Sequence, residues 1–292
     1  MTATPEFSLT PTAPRPRVVT AHEPGKSDEK TARYRFDLKP RSLTVTDTAR
    51  LSRTMRRIRF SSDDNFDGFP SISPEDHVKL FFDLDDDGDP VLPSMKDGRW
   101  SPRGLTYRDF TIRWLHPGLP AVDIDFVLHD HGVAGRWAAA AEPGDRLGML
   151  GPRGAHLVKD VFPWYVMAVD ETALPALARW LEVLRPDVPV TAYVEVADST
   201  SEFELPSRAA LDVRWLHRGE AEPGTTTLLA DAIANHSYPD RTGFLWAAGE
   251  ALSIKPVRRW ASHELGLQRD NWDVNGYWRR GTINHDHHAV DD

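Results

Sequence analysis

The sequence predicts two successive domains of different class: an N-terminal antiparallel β-barrel, then a C-terminal α/β domain on a parallel sheet. As far as about residue 155, short runs alternate apolar and polar residues at period two between Gly- and Pro-rich turns. That is the pattern of half-buried antiparallel strands that close into a barrel. From Trp164 onward, apolar strands alternate with helix-period segments, which implies parallel strands joined by helical crossovers. At 292 residues the chain is long enough for both domains to bury a core.

Residues 1–40 lack an apolar signal core and are rich in Pro, Thr and charge, so they read as a flexible leader rather than a secretory segment. Strands are expected over 42–60, where Leu43-Thr44-Val45-Thr46 and Met55-Arg56-Arg57-Ile58-Arg59-Phe60 alternate. Further strands are expected over 77–82, 110–115 and 123–128, with 147–152 closing the barrel and a short helix after Gly132. The break falls within 154–162, giving 41–155 for the barrel and 160–281 for the α/β domain, with a flexible His/Asp tail over 282–292. In the second domain 164–169 is a continuous apolar strand, and 173–184 a helix with Thr172 as N-cap. Strands follow at 190–196, 212–216, 243–248 and 272–278, and helices at 225–235 and 251–265. A parallel sheet of this kind takes its ligand at the carboxyl ends of its strands.

Composition removes several functions. A formal net charge of −9 disfavours general nucleic-acid binding, since phosphate backbones reward a basic face. The absence of Cys eliminates disulfides, thiol catalysis and iron–sulfur clusters, so redox chemistry would need an organic cofactor or a non-thiolate metal. No run approaches the length of a membrane span, and a cytoplasmic monomer is expected. The ten Trp read mainly as core residues.

The most informative stretch is Tyr107-Arg108-Asp109-Phe110-Thr111-Ile112-Arg113, followed by Asp125-Phe126-Val127-Leu128-His129 and Arg136-Trp137-Ala138. Period two puts Arg108, Phe110 and Ile112 on one strand face and Thr111 on the other. Arg108 offers a planar fork of donors to phosphate oxygens, Phe110 a wall for a ring, and Thr111 a short donor and acceptor. A helix starting near Val133 adds free backbone N–H groups. Together these suit an FAD.

The chain resembles the siderophore-interacting proteins, FAD-dependent ferric-siderophore reductases of the ferredoxin reductase superfamily, over roughly residues 42–281. The resemblance rests on Arg108-Asp109-Phe110-Thr111 and Asp125-Phe126-Val127-Leu128-His129, and on Arg136-Trp137-Ala138-Ala139, Pro143-Gly144-Asp145-Arg146-Leu147 and Gly151-Pro152-Arg153-Gly154. It continues through Asp170-Glu171-Thr172-Ala173-Leu174-Pro175-Ala176, Glu195-Val196-Ala197-Asp198, Trp246-Ala247-Ala248-Gly249-Glu250 and Gly276-Tyr277-Trp278-Arg279-Arg280-Gly281. Phe110 stands where the family places Tyr, which keeps the ring wall and removes a hydroxyl.

The resemblance implies an FAD site comprising Arg108, Phe110, Thr111, Val127, Leu128, His129, His131, Ala134, Gly135 and Trp137. It implies a nicotinamide site, for NADH or NADPH, flanked by the turns Asp170-Glu171-Thr172 and Gly249-Glu250, although no G-x-G-x-x-G is present. Glu195 and Asp198 end the second strand, where a carboxylate bonds a ribose 2′-hydroxyl and repels a 2′-phosphate. That favours NADH unless Arg208 or Arg214 turns toward the same place. Lys255, Arg258, Arg259, Arg279 and Arg280 form a basic group in an acidic chain, expected to draw in an anionic ferric siderophore.

The activity so implied is NAD(P)H-dependent reduction of siderophore-bound Fe(III) to Fe(II), releasing iron in the cytoplasm. A flavin suits it, because nicotinamide surrenders electrons in pairs and iron accepts one. Two alternatives stay open: a flavoenzyme of the same fold with another acceptor, such as a flavin, quinone or protein, and a siderophore carrier that reduces nothing. Asp83-Leu84-Asp85-Asp86-Asp87-Gly88 matches the start of a calcium loop, but its twelfth position is Ser94 and its flanks read as strands, so it reads as a hairpin turn. His285, His287 and His288 read as adventitious metal ligands in the tail.

Overall fold

The structure is a computed structural model and describes residues 30–102, 104–116, 119–130 and 132–284. The chain divides into two compact units between Leu157 and Val158, with residues 30–32 belonging to the second. In chain order the strands up to this boundary are β1 (Thr31–Arg35), β2 (Pro40–Arg50), β3 (Met55–Ser62), β4 (His77–Phe81), β5 (Ser94–Lys96) and β6 (Arg99–Ser101). They continue as β7 (Tyr107–Thr111), β8 (Trp114–Leu115), β9 (Ala121–Val127), β10 (Arg146–Leu150) and β11 (Gly154–Val158), with α1 (Gly132–Ala140) after β9.

Seven strands form one antiparallel sheet in the order β7-β4-β10-β2-β3-β9-β8. Its edge strands, β7 and β8, are joined only by Ile112 and Arg113, so the sheet has to roll until its edges meet. The even positions of β3 and β9, Ile58, Phe60, Val122, Ile124 and Phe126, face the buried barrel core. On the outer face Arg57 and Arg59 stand opposite Asp125 and Asp123 and grip them with two-pronged hydrogen bonds of 2.6 to 3.0 Å.

Two expectations change here. Residues 110–115 are two strands: Ile112 N–H bonds the Asp76 carbonyl while Arg113 N–H bonds that of Asp123, so the chain crosses between sheet edges. Residues 31–35, expected within the leader, form β1 beside β11. This strand has no apolar alternation to announce it; the backbone of β11 recruits it. The calcium-loop match is a turn, with Asp87 N–H and Asp89 N–H both donating to the Asp85 carboxylate and Leu84 bridged to Pro90.

The second unit contains β12 (Tyr165–Asp170), α2 (Leu174–Val183), β13 (Pro189–Val196), β14 (Ala210–His217), α3 (Leu228–Ala234), β15 (Phe244–Glu250), α4 (Ala251–Arg259) and β16 (Trp272–Trp278). Its five strands are parallel in the order β14-β13-β12-β15-β16. Both faces are covered, which is why these strands read as continuous apolar runs. Val166, Ala168, Leu245 and Ala247 meet Ile233, Ile254 and Val257 of α3 and α4. On the other face Trp180 of α2 lies 6.2 Å from Trp246 and 6.0 Å from Phe244, ring centre to centre.

Helix starts differ from expectation where side chains compete for the backbone. Thr172 is not the cap: Asp170 is, accepting from Thr172 N–H at 2.9 Å and opening a 3-10 turn, Glu171–Ala173, before α2. α3 starts three residues late because Thr225, Thr226 and Thr227 each spend their hydroxyl on a nearby acceptor or, for Thr226, on Glu195. α4 widens after Arg259 into a π turn, Trp260–Glu264, where the Ser262 hydroxyl bonds the carbonyls of Arg258 and Arg259.

Candidate cofactor sites

In the first unit, five antiparallel pairings separate β7 from β9, so the two run antiparallel where the barrel closes. Phe110 against Phe126, ring centroids 4.4 Å apart, fixes their alignment. Arg108, two residues nearer the start of β7, therefore falls at the barrel end where Val127, Leu128 and His129 leave β9 and α1 begins. Arg108 is half-buried and its guanidinium donates to the Tyr107 carbonyl at 2.6 Å. Thr111 is buried and Phe110 half-buried.

α1 starts on Gly132 at φ +70° and has no acid in its first turn. Its leading N–H groups, with the Arg108 guanidinium at the same barrel end, are donors of the kind the diphosphate of an FAD would need. Gly135 is what lets the helix lie this close: a Cβ there would stand 2.6 Å from the His129 carbonyl oxygen and 2.9 Å from its Nδ1. Ala134 is buried beside it. Trp137 points into the barrel mouth, stacked on Phe60 at 6.1 Å and 14°, with Phe82 and Phe126 each at 5.8 Å. Its ring is thus spent mainly on the core. His131 lies outside the described residues.

In the second unit the strand order reverses between β12 and β15, the switch point at which doubly wound sheets take ligands. There the backbone amides of the two flanking turns are bonded to carboxylates. The buried Asp170 accepts from Thr172 N–H and Oγ1 through one oxygen, and from Glu250 N–H (2.9 Å) and Trp278 Nε1 (2.8 Å) through the other. Glu250 caps α4, accepting from Leu252 and Ser253 N–H, and its second oxygen takes Arg280 N–H at 3.1 Å. Gly249 is required by the clasp, since a Cβ would lie 2.8 Å from the Asp170 carboxylate.

Beside the clasp, Glu171 pairs with Arg218 at 2.7 Å, both side chains buried, and Glu195 accepts from the Thr226 hydroxyl at 2.7 Å. Burial pushes the Asp170, Glu171 and Glu195 carboxyls up, against the hydrogen bonds and the Arg218 charge that pull them down. Asp198 caps the short 3-10 turn Ser199–Ser201 through Thr200.

The basic residues do not form one group. Arg279 and Arg280 follow the carboxyl end of β16, whereas Arg258 donates to the Val274 carbonyl at 3.0 Å. Val274 lies five residues before Arg279, about 16 Å along the strand. Lys255 and Arg259 are exposed on α4.

Sequence reading missed Arg56, whose guanidinium bonds the carbonyls of Ala138, Ala139 and Ala141 at 2.8 to 2.9 Å and so closes the C-terminus of α1. It also missed Trp278, Thr226 and Arg218. Each acts across 31 to 108 positions of sequence, where local pattern carries no signal.

An antiparallel barrel followed by a parallel sheet of this order is a fold shared with the ferredoxin reductase in carbazole 1,9a-dioxygenase, which superposes with a TM-score of 0.62 at 12% identity. The chain belongs to the siderophore-interacting protein family: residues 44–156 match the siderophore-interacting FAD-binding domain and residues 162–281 the siderophore-interacting protein domain. The crystal structure of a siderophore utilization protein from T. fusca superposes with a TM-score of 0.83 at 43% identity, over 89% of this chain and 100% of that one. The NADPH-dependent ferric-chelate reductase of Escherichia coli is 34% identical over 84% of this chain and 95% of its own length. The ferric vibriobactin reductase of Vibrio cholerae is 29% identical over 83% and 90%.

Proposed function

We propose that this chain is an FAD-dependent, nicotinamide-driven ferric-siderophore reductase that frees iron by reducing its chelated Fe(III) to Fe(II). The observation that carries the reading is the strand alignment that puts Arg108 at the barrel end where β9 gives way to the acid-free start of α1. Bound there, FAD would supply the conversion between the electron pair that a nicotinamide gives and the single electron that iron accepts. Arg108 and the leading amides of α1 hold the diphosphate, Thr111 and the Val127 to His129 segment border the flavin, and the strand ends at Asp170, Glu195, Asp198 and Gly249 receive the nucleotide. Arg279 and Arg280 supply a local positive field for an anionic chelate in a chain of net charge −9. Two named relatives reduce ferric chelates, which supports iron as the acceptor over a flavin, quinone or protein.

Among the described residues no helix is long and apolar enough to cross a membrane. The absence of Cys is compatible with a reducing compartment, and we place the protein in the cytoplasm as a monomer. Light scattering on a sizing column tests the monomer. Anaerobic stopped-flow absorbance tests the function: flavin bleaching on addition of a nicotinamide, then recovery of the oxidised spectrum on addition of ferric siderophores. Bleaching without recovery by any ferric chelate would reassign the acceptor.

A further inference from the structure

NADH and NADPH differ only at the 2′ position of the adenosine ribose, a hydroxyl in one and a phosphate in the other. The groups at the carboxyl end of the second strand of a doubly wound sheet decide between them. Here that strand is β13, with Glu195 its penultimate residue and Asp198 two residues beyond its end. Glu195 keeps its carboxylate at the strand end through the Thr226 hydroxyl.

The described cations of this region are committed or misplaced. Arg218 is buried in its pair with Glu171, and His217 bonds Glu202 at 2.6 Å. Arg214 donates to Asp212 through Nε and Nη2, each at 2.8 Å, and lies over the Tyr193 ring. Arg208 precedes β14 and its carbonyl takes Asp187 N–H, which puts it at the amino end of the sheet, a whole strand away. The amide of Thr200, which a phosphate would seek, is bonded by Asp198. A ribose diol finds acceptors here; a 2′-phosphate brings roughly two further negative charges to carboxylates. The diphosphate is common to both nucleotides and does not discriminate.

We propose that this chain selects NADH over NADPH, with Glu195 and Asp198 as the residues that accept the ribose 2′-hydroxyl and reject a 2′-phosphate. The inference rests on the reductase reading, and it parts from the E. coli relative, whose name specifies NADPH.

The test uses FAD-loaded full-length protein and two non-reducing probes, ADP-ribose and its 2′-phosphate, titrated by calorimetry. ADP-ribose should bind at least about tenfold more tightly. Glu195→Gln keeps an acceptor for Thr226 while removing the charge, and should narrow that ratio with flavin content and melting temperature unchanged; Asp198→Asn should narrow it independently. Anaerobic flavin reduction by NADH and NADPH should rank the same way. Equal or tighter binding of the 2′-phosphate by the parent chain overturns the selectivity while leaving the reductase reading standing. Ratios unmoved in both variants overturn the assignment to these residues. If neither nucleotide reduces the flavin, the reductase reading falls and takes the selectivity with it.

Discussion

Arg108 is the residue on which flavin retention should turn. Its guanidinium sits at a strand end, not in the core, so Arg108→Ala should fold and lose FAD affinity by roughly ten- to a hundredfold, the worth of one charge-assisted hydrogen bond. Flavin remaining after gel filtration, together with the far-ultraviolet spectrum of the apoprotein, measures both parts. Gly135→Ala acts at the same site by a different route. Its Cβ would meet backbone 2.6 Å away, so α1 has to shift, which should cost about 1 to 3 kcal/mol and loosen the flavin too. A variant with parental melting temperature and flavin affinity would show that α1 can slide without consequence.

Elements are tied together by single carboxylates. Asp170 joins the turn after β12 to the starts of α4 and the end of β16, with two N–H donors on the oxygen that meets Glu250 and Trp278. Asp170→Asn turns an amide toward donors: one side of the clasp is left unpaired, at about 1 to 3 kcal/mol for each lost bond. The melting temperature should fall by several degrees, and the Trp278 fluorescence environment should become wetter. In the barrel Asp64 plays a comparable part for the loop between β3 and β4, taking Arg41, Lys39, Ser62 and the Phe66 N–H. Burial raises its carboxyl, but these partners outweigh it and hold the pKa at about 2, against 3.8 for the free side chain. The folded value is the lower one, so the stabilisation is complete above about pH 4 and disappears as the pH falls through about 2. With Lys39 half exposed, its size is on the order of 1 to 2 kcal/mol. Denaturant titrations between pH 6 and 2.5 should show this loss in the parent and a flatter profile in Asp64→Asn.

For the molecule as a whole, the net charge of −9 sets the background against which Arg279 and Arg280 act. If they attract anionic chelates, Arg279→Glu with Arg280→Glu should slow reoxidation of reduced flavin by ferric siderophore and leave its reduction by nicotinamide nearly intact. Rising salt should slow the parent and narrow its gap from the variant, because a field at this range is screened within about 8 to 10 Å at ordinary ionic strength. A neutral acceptor such as a quinone should respond little to either change. Equal loss in both half-reactions would assign these arginines to the architecture of β16 instead, through the Arg280 N–H bond to Glu250.

By itself the sequence determined what depends on local repetition and on residue type. The period-two runs yield the barrel strands, the apolar runs yield the parallel sheet, and the 272–278 strand falls where its pattern puts it. Arg108, Phe110 and Thr111 stood out because a strand that offers a fork, a ring and a hydroxyl has a recognisable chemistry. Only the tertiary structure decided which turn N–H groups are bonded within the chain. α1 opens without an acid in its first turn, whereas Asp170 and Glu250 fill the turns before α2 and α4. Asp170 reaches partners 80 and 108 residues away. The parallel sheet sets its strand ends side by side, and a carboxylate bonds whichever donors the sheet places beside it, however distant they are along the chain.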